Sequence, residues 1–124
     1  MKKHLLIFSL FPLLFFSNSE YAYSETLKLS QEGGMEIEIV HPDSVLLDRT
    51  FSISFLIQNN GWESKQDIRL TLTNPDNAFV AIADEQIKIE ELTASSSFGT
   101  TLDYVVSQDA TEGTHFINID YSQV

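Results

Sequence analysis

The sequence predicts an all-β chain folded as an antiparallel sandwich of about seven strands. Three observations carry that expectation. Apolar and polar residues alternate with period two in segment after segment, so each segment has one face to bury. These segments are short and separated by turn-forming residues, most clearly Asn59-Asn60-Gly61 and Asn74-Pro75-Asp76-Asn77. No stretch beyond residue 24 repeats apolar residues at i, i+3 and i+4, as a helix face would. Consecutive antiparallel strands with one buried face each are best served by two packed sheets.

Residues 1–24 read as a cleavable export signal rather than as part of the sandwich. Lys2, Lys3 and His4 are a basic start, and Leu5–Phe16 is an apolar run broken only by Ser9 and Pro12. Ala22-Tyr23-Ser24 then offers small residues at cleavage spacing, with Ser19 as a second cleavage point. The run is shorter than the roughly 20 residues that cross a bilayer. The competing reading is an uncleaved anchor or a buried helix.

Residues 25–34 read as a linker or a weak strand. Leu27 and Leu29 share a face, and Gln31-Glu32-Gly33-Gly34 forms a turn. The sandwich is expected over residues 35–124. Met35, Ile37 and Ile39 alternate with Glu36 and Glu38 in its first strand. His41-Pro42-Asp43-Ser44 stops it, because proline lacks a ladder donor, and His41 is expected to be exposed in that turn. Val45–Asp48 crosses over, with Leu46 or Leu47 tucked against the core.

Phe51, Ile53, Phe55 and Ile57 share the inward face of the next strand. Asn59-Asn60-Gly61 tolerates positive φ and reverses the chain. Ile68, Leu70 and Leu72 alternate in the strand that follows. Phe79–Ala83 is a short apolar segment, and Ile87 and Ile89 mark a short strand closed by Leu92. Phe98, Thr100, Leu102, Tyr104 and Val106 share one face of a long strand. His115, Ile117, Ile119 and Tyr121 share a face of the last one.

Charge and composition exclude several functions. The chain carries 7 basic and 18 acidic residues, a net charge of −11. Loss of Lys2, Lys3 and Glu20 with the signal would leave 5 basic and 17 acidic residues, net −12. So acidic a surface repels phosphate backbones, which argues against nucleic acid as a partner. With no cysteine, disulfides, thiol catalysis and cysteine-held metals or clusters are excluded. No Asn-x-Ser/Thr acceptor site is present.

The residues that could carry chemistry are few. His41 and His115 are the histidines beyond the signal. A metal site needs three or four converging ligands, and His115 on an apolar face reads as a packed, hydrogen-bonded core histidine. Asp76-Asn77 and the acidic pairs Asp84-Glu85 and Glu90-Glu91 fall at turns without calcium-loop spacing. Ser96, His115 and Asp103 could be grouped as a triad, but no nucleophile elbow or oxyanion-hole motif accompanies them. No phosphate loop or dinucleotide fingerprint is present. The expected catalytic, cofactor-binding and metal sets are therefore empty. Trp62, the single tryptophan, is expected to lie under its loop and close the core, since large aromatics are mostly buried. On the outside it would stack on a sugar or anchor a partner.

Phe51–Tyr121 resembles the immunoglobulin-like domains of bacteria and archaea. It is similar to the cell-adhesion-related (CARDB-like) domain and to the module beside alpha-galactosidases and other secreted hydrolases. The marks are FSISFLIQNNGW, LTLTNPD, IKIEEL, LDYVVSQDATEG and THFINIDY. His115 stands where the group more often has an aromatic residue. The resemblance implies an immunoglobulin-like sandwich without catalytic, cofactor or metal residues. It also implies a secreted or cell-surface role in adhesion, spacing or protein interaction. A carbohydrate-binding accessory role through Trp62 is the alternative. An immunoglobulin-like sandwich has one more strand after the Gly-aromatic one, and here nothing in the sequence supplies it. The edge beside Thr114–Ser122 is then expected to be filled by residues 26–40, to belong to a longer protein, or to stay open to a strand from another chain.

Overall fold

The computed structural model describes the backbone course of residues 2–14 and the full structure of residues 24–123. The cleavage residues Ser19, Ala22 and Tyr23 lie outside the described residues. The fold is an all-β sandwich of two five-stranded sheets, compatible with an immunoglobulin-like domain. The strands are β1 (Lys2–Leu14), β2 (Ser24–Gln31), β3 (Met35–Pro42), β4 (Val45–Leu46) and β5 (Thr50–Asn59). They continue with β6 (Lys65–Thr73), β7 (Phe79–Ala81), β8 (Gln86–Leu92), β9 (Ser97–Val106) and β10 (Gly113–Gln123). One sheet has the order β4-β1-β10-β6-β8 and the other β2-β3-β5-β9-β7. Every pairing is antiparallel except β1 with β4.

The alternation read from the sequence sets which faces are buried. Met35, Ile37 and Ile39 of β3, Ile53, Phe55 and Ile57 of β5, and Ile68, Leu70 and Leu72 of β6 are all buried. Leu102, Tyr104 and Val106 of β9 and Ile117, Ile119 and Tyr121 of β10 complete the layer. Each such side chain contributes on the order of 1.5–3 kcal/mol by leaving water. Phe51 lies in both an edge contact with Phe79, 5.2 Å between ring centres, and a stack on Tyr104 at 5.7 Å. That cluster ties β5, β7 and β9 together.

Some local expectations are narrowed and others corrected. Of the two readings of the segment before β3, the strand is the one seen: Ser24–Gln31 pairs with β3 along its length, and its outer position leaves most of it exposed. His41 is buried, 5% exposed, because β3 runs on through Pro42 and the period of two carries position 41 inward. Its Nδ1 lies 2.8 Å from the Pro42 carbonyl oxygen. In the crossover, Val45 is the buried residue and Leu47 packs partly against the core. The edge beside β10 is occupied by β1, so residues 26–40 do not fill it; they form β2 and β3 of the other sheet.

His115 is buried and hydrogen-bonded. Its Nε2 donates to the Thr111 carbonyl at 2.7 Å, and Nδ1 lies 3.1 Å from the Asp76 carboxylate. The loop before β10 and the loop after β6 are thereby held to one ring, which also meets Phe79 edge-on at 6.1 Å.

Two buried tyrosines make the fold sensitive to alkali. Burial pushes the Tyr121 phenol up to about 12. Burial, and secondly the negative charge of Glu85, holds the Tyr104 phenol still higher. In the unfolded chain both ionise near 10. Their contribution is complete below pH 10 and is lost as pH rises, because there the unfolded chain releases protons that the folded one keeps. Stability is expected to fall between about pH 10 and 12 by up to ~1.4 kcal/mol per pH unit for each tyrosine. Urea unfolding at pH 9, 10 and 11 measures it, and Y121F should flatten the slope.

Candidate functional site

Trp62 is 98% exposed, which corrects the expectation that it closes the core. The reason lies in Asn59. The alternation of β5 does not stop at Ile57; it continues to Asn59, which points inward and is 0% exposed. The interior of that end of the sandwich is thus filled by an amide. Its Nδ2 donates to the Glu63 carbonyl at 2.8 Å and to the Leu92 carbonyl at 2.9 Å. Its Oδ1 accepts from the Gly61 amide at 3.0 Å. The side chain therefore templates the loop that begins just after it, and Trp62 is carried outward on the loop's crest.

Neighbouring turns hold the same loop. The Asn59 amide donates to the Ser96 carbonyl at 2.9 Å, and the Ser95 amide donates to the Asn59 carbonyl at 2.7 Å. The Asn60 amide donates to the Gly34 carbonyl at 2.9 Å. Three turns, β2–β3, β5–β6 and β8–β9, converge at one end of the sandwich. A rigid mount reduces the ordering entropy that an exposed indole loses on contact, which favours tight binding.

Glycines make the close approach of two of these turns feasible. A Cβ on Gly61 would sit 2.2 Å from the Gly33 carbonyl oxygen, and one on Gly34 would sit 2.7 Å from the Gly61 nitrogen. Gly34 also has φ of +83°, a left-handed conformation that favours glycine. The residues Asn59, Asn60 and Gly61 do not adopt positive φ, contrary to the expected turn chemistry; positive φ among non-glycines occurs at Asp48, Asp67, Asn77 and Ser95. Gly61 is required for space. Gly34→Ala, which meets both strain and collision, is expected to cost about 2 kcal/mol or more, read as a drop in urea midpoint.

Beside the indole, Gly33, Gly34, Asn60, Glu63 and Lys65 line a shallow depression of about 410 Å³. It combines a flat apolar ring with an acid, an amine and an amide. That mixture suits stacking plus hydrogen bonding.

The other candidate residues lie apart. Ser96 Oγ donates to the Thr93 carbonyl, and Asp103 accepts from Ser52 Oγ at 2.5 Å. His115 is held by Thr111 and Asp76. Among the described residues, no three His, Asp or Glu side chains converge as a metal set. No described helix is long and apolar enough to cross a membrane.

Fold and geometry together define a class: a two-sheet β-sandwich that carries an almost fully exposed tryptophan on a braced loop. No family model and no curated protein matches the chain.

Proposed function

We propose that the chain is a non-catalytic, immunoglobulin-like module of the cell-adhesion-related or alpha-galactosidase-associated type. It is carried out of the cell by residues 1–24 and serves surface adhesion, spacing or protein contact. The observation that carries the reading is the mounting of Trp62. A large aromatic, 98% exposed, is held in place by a buried asparagine and two adjoining turns. Exposed aromatics of this kind dominate binding energy at protein contacts. The acidic surface supports a partner that is neutral or basic.

The same indole supports a second reading, a carbohydrate-binding accessory module. A flat ring flanked by Asn60, Glu63 and Lys65 matches what a pyranose face requires: stacking area and hydrogen-bonding groups at its rim.

The test is binding of the whole chain to arrays of surface polypeptides and of glycans, with Trp62→Ala in parallel. The expected result is binding to a polypeptide that weakens by about 30-fold or more in the variant, with unchanged thermal stability. Binding confined to glycans would select the second reading. Hydrolytic turnover abolished by a single substitution would contradict both.

A further inference from the structure

Asn60-Gly61 is the one asparagine–glycine pair in the chain. Glycine has no side chain to shield its backbone nitrogen, so that nitrogen can reach the carboxamide carbon of the asparagine before it. Asn60 is also exposed, which gives water and hydroxide access to it. In a loose chain such a pair modifies itself without an enzyme. The Gly61 nitrogen gives its proton to hydroxide and bonds to Asn60 Cγ. The Cγ–Nδ2 bond breaks and ammonia leaves, closing a cyclic imide. Water then opens the ring. Attack at Cγ restores the main chain with an aspartate side chain. Attack at the main-chain carbonyl leaves a β-aspartyl linkage, in which the chain runs through Cβ and Cγ. Both products exchange an amide nitrogen for a water oxygen, and nothing is oxidised or reduced.

The folded loop opposes the first step at each group that has to move. The Gly61 N–H donates to Asn59 Oδ1 at 3.0 Å. That oxygen is itself fixed, because Asn59 Nδ2 is tied to the Glu63 and Leu92 carbonyls. On the other side, the Asn60 amide donates to the Gly34 carbonyl at 2.9 Å. The peptide unit between residues 60 and 61 lies flush against Gly34. A Cβ on Gly34 would come 2.7 Å from the Gly61 nitrogen, 2.8 Å from its Cα and 3.1 Å from the Asn60 carbonyl carbon. Turning that peptide to bring the Gly61 nitrogen onto Asn60 Cγ breaks the Asn59 bond and drives the peptide along the Gly33–Gly34 backbone.

We propose that Asn60 is a self-modification site gated by Asn59: closed while the Asn59 side chain holds the Gly61 amide, open when this loop loosens. Asn59 acts as a positioning residue, since it withholds the attacking nitrogen and takes no part in the bonds that form and break. The reaction is one-way, so it records the opening of the loop in covalent form. The β-aspartyl product inserts one carbon into the backbone between Asn60 Cα and the Gly61 nitrogen. That displaces Gly61 from its fitted place over Gly34. Both products set a new carboxylate in the depression beside Trp62 and Glu63.

The test is mass spectrometry of fragments of the whole chain after storage in mildly alkaline buffer, with and without guanidinium chloride. It reads the conversion of the Asn60 carboxamide to a carboxyl group and separates the aspartyl from the β-aspartyl product. The native chain should convert at least about 10-fold more slowly than the unfolded chain. Asn59→Ala in its folded state should convert about 5-fold or more faster than the native chain, the factor that one hydrogen bond supplies. Asn60→Ala should abolish the change in that fragment. A native chain that converts at the unfolded rate would overturn the proposal. So would a folded Asn59→Ala variant as slow as the native chain, or an unfolded chain that keeps its Asn60 carboxamide. Should Asn59→Ala not fold, guanidinium below the unfolding transition decides on the unaltered sequence. Hydrogen exchange of the Gly61 amide and conversion of Asn60 should then rise together. Conversion that accelerates while the Gly61 amide stays protected contradicts the gate.

Discussion

Asn59→Ala is expected to lower stability by about 3 kcal/mol. The side chain makes three hydrogen bonds, to Glu63, Leu92 and Gly61, and it is wholly buried. Removing it leaves two carbonyls and an amide without that partner, at about 1–3 kcal/mol for each group that water cannot reach. The Leu92 bond is the buried one of the three, so it sets most of the cost. For a domain of this size the melting temperature should drop by roughly 12–20 °C. Asn59→Asp should be worse. A carboxylate cannot donate to two carbonyls, and it brings an unpaired charge to the same position. Both variants should also loosen Trp62, because the loop that carries it is templated by this amide. Chemical denaturation and the anisotropy of the single tryptophan measure the two effects in one experiment. An alanine variant of unchanged midpoint would show that the loop is held by its backbone bonds alone.

Trp62→Ala should behave in the opposite way. With the ring almost entirely in solvent, its removal should change stability by less than about 0.5 kcal/mol. Contact with a partner should weaken by about 2–4 kcal/mol, or roughly 30- to 1,000-fold. The separation of the two readouts is the point. A tryptophan that closed the core would cost several kcal/mol of stability when truncated, with binding lost only as a consequence of unfolding. Equilibrium unfolding of the variant beside a binding titration distinguishes these cases. Trp62→Phe should keep much of the contact, since a flat apolar ring remains.

The layer structure was legible in the sequence because burial in a half-buried strand obeys a period of two. Met35 to Ile39, Ile53 to Ile57, Ile68 to Leu72 and His115 to Tyr121 all point inward as their alternation predicts. The candidate site was less legible, for physical reasons attached to particular residues. Asn59 has turn chemistry by type and core position by parity, and parity decided; counting two from Ile57 would have placed it inside. Once an amide occupied that position, Trp62 had no place under the loop. Gly61 was read as a turn glycine, whereas its missing Cβ makes room for the Gly33 carbonyl, a contact between loops 28 residues apart that no local pattern encodes. His41 was misplaced because proline at 42 was read as a stop, while β3 continues through it at its pairing with Ser24. The neighbour of β10 was illegible for the same reason as the Gly61 contact: periodicity tells which face a strand buries but not which strand lies beside it.

The central claim is a braced, solvent-facing indole on a two-sheet sandwich. Trp62 is the sole tryptophan, so its fluorescence is a direct reading of that claim. Acrylamide is the suitable quencher, because a neutral molecule is not repelled by a chain of net charge −11. The expected result for the native chain is red emission with quenching as efficient as that of free indole, and an anisotropy that drops only when Asn59 is replaced. Blue-shifted emission shielded from acrylamide would place the ring inside the molecule and contradict the account.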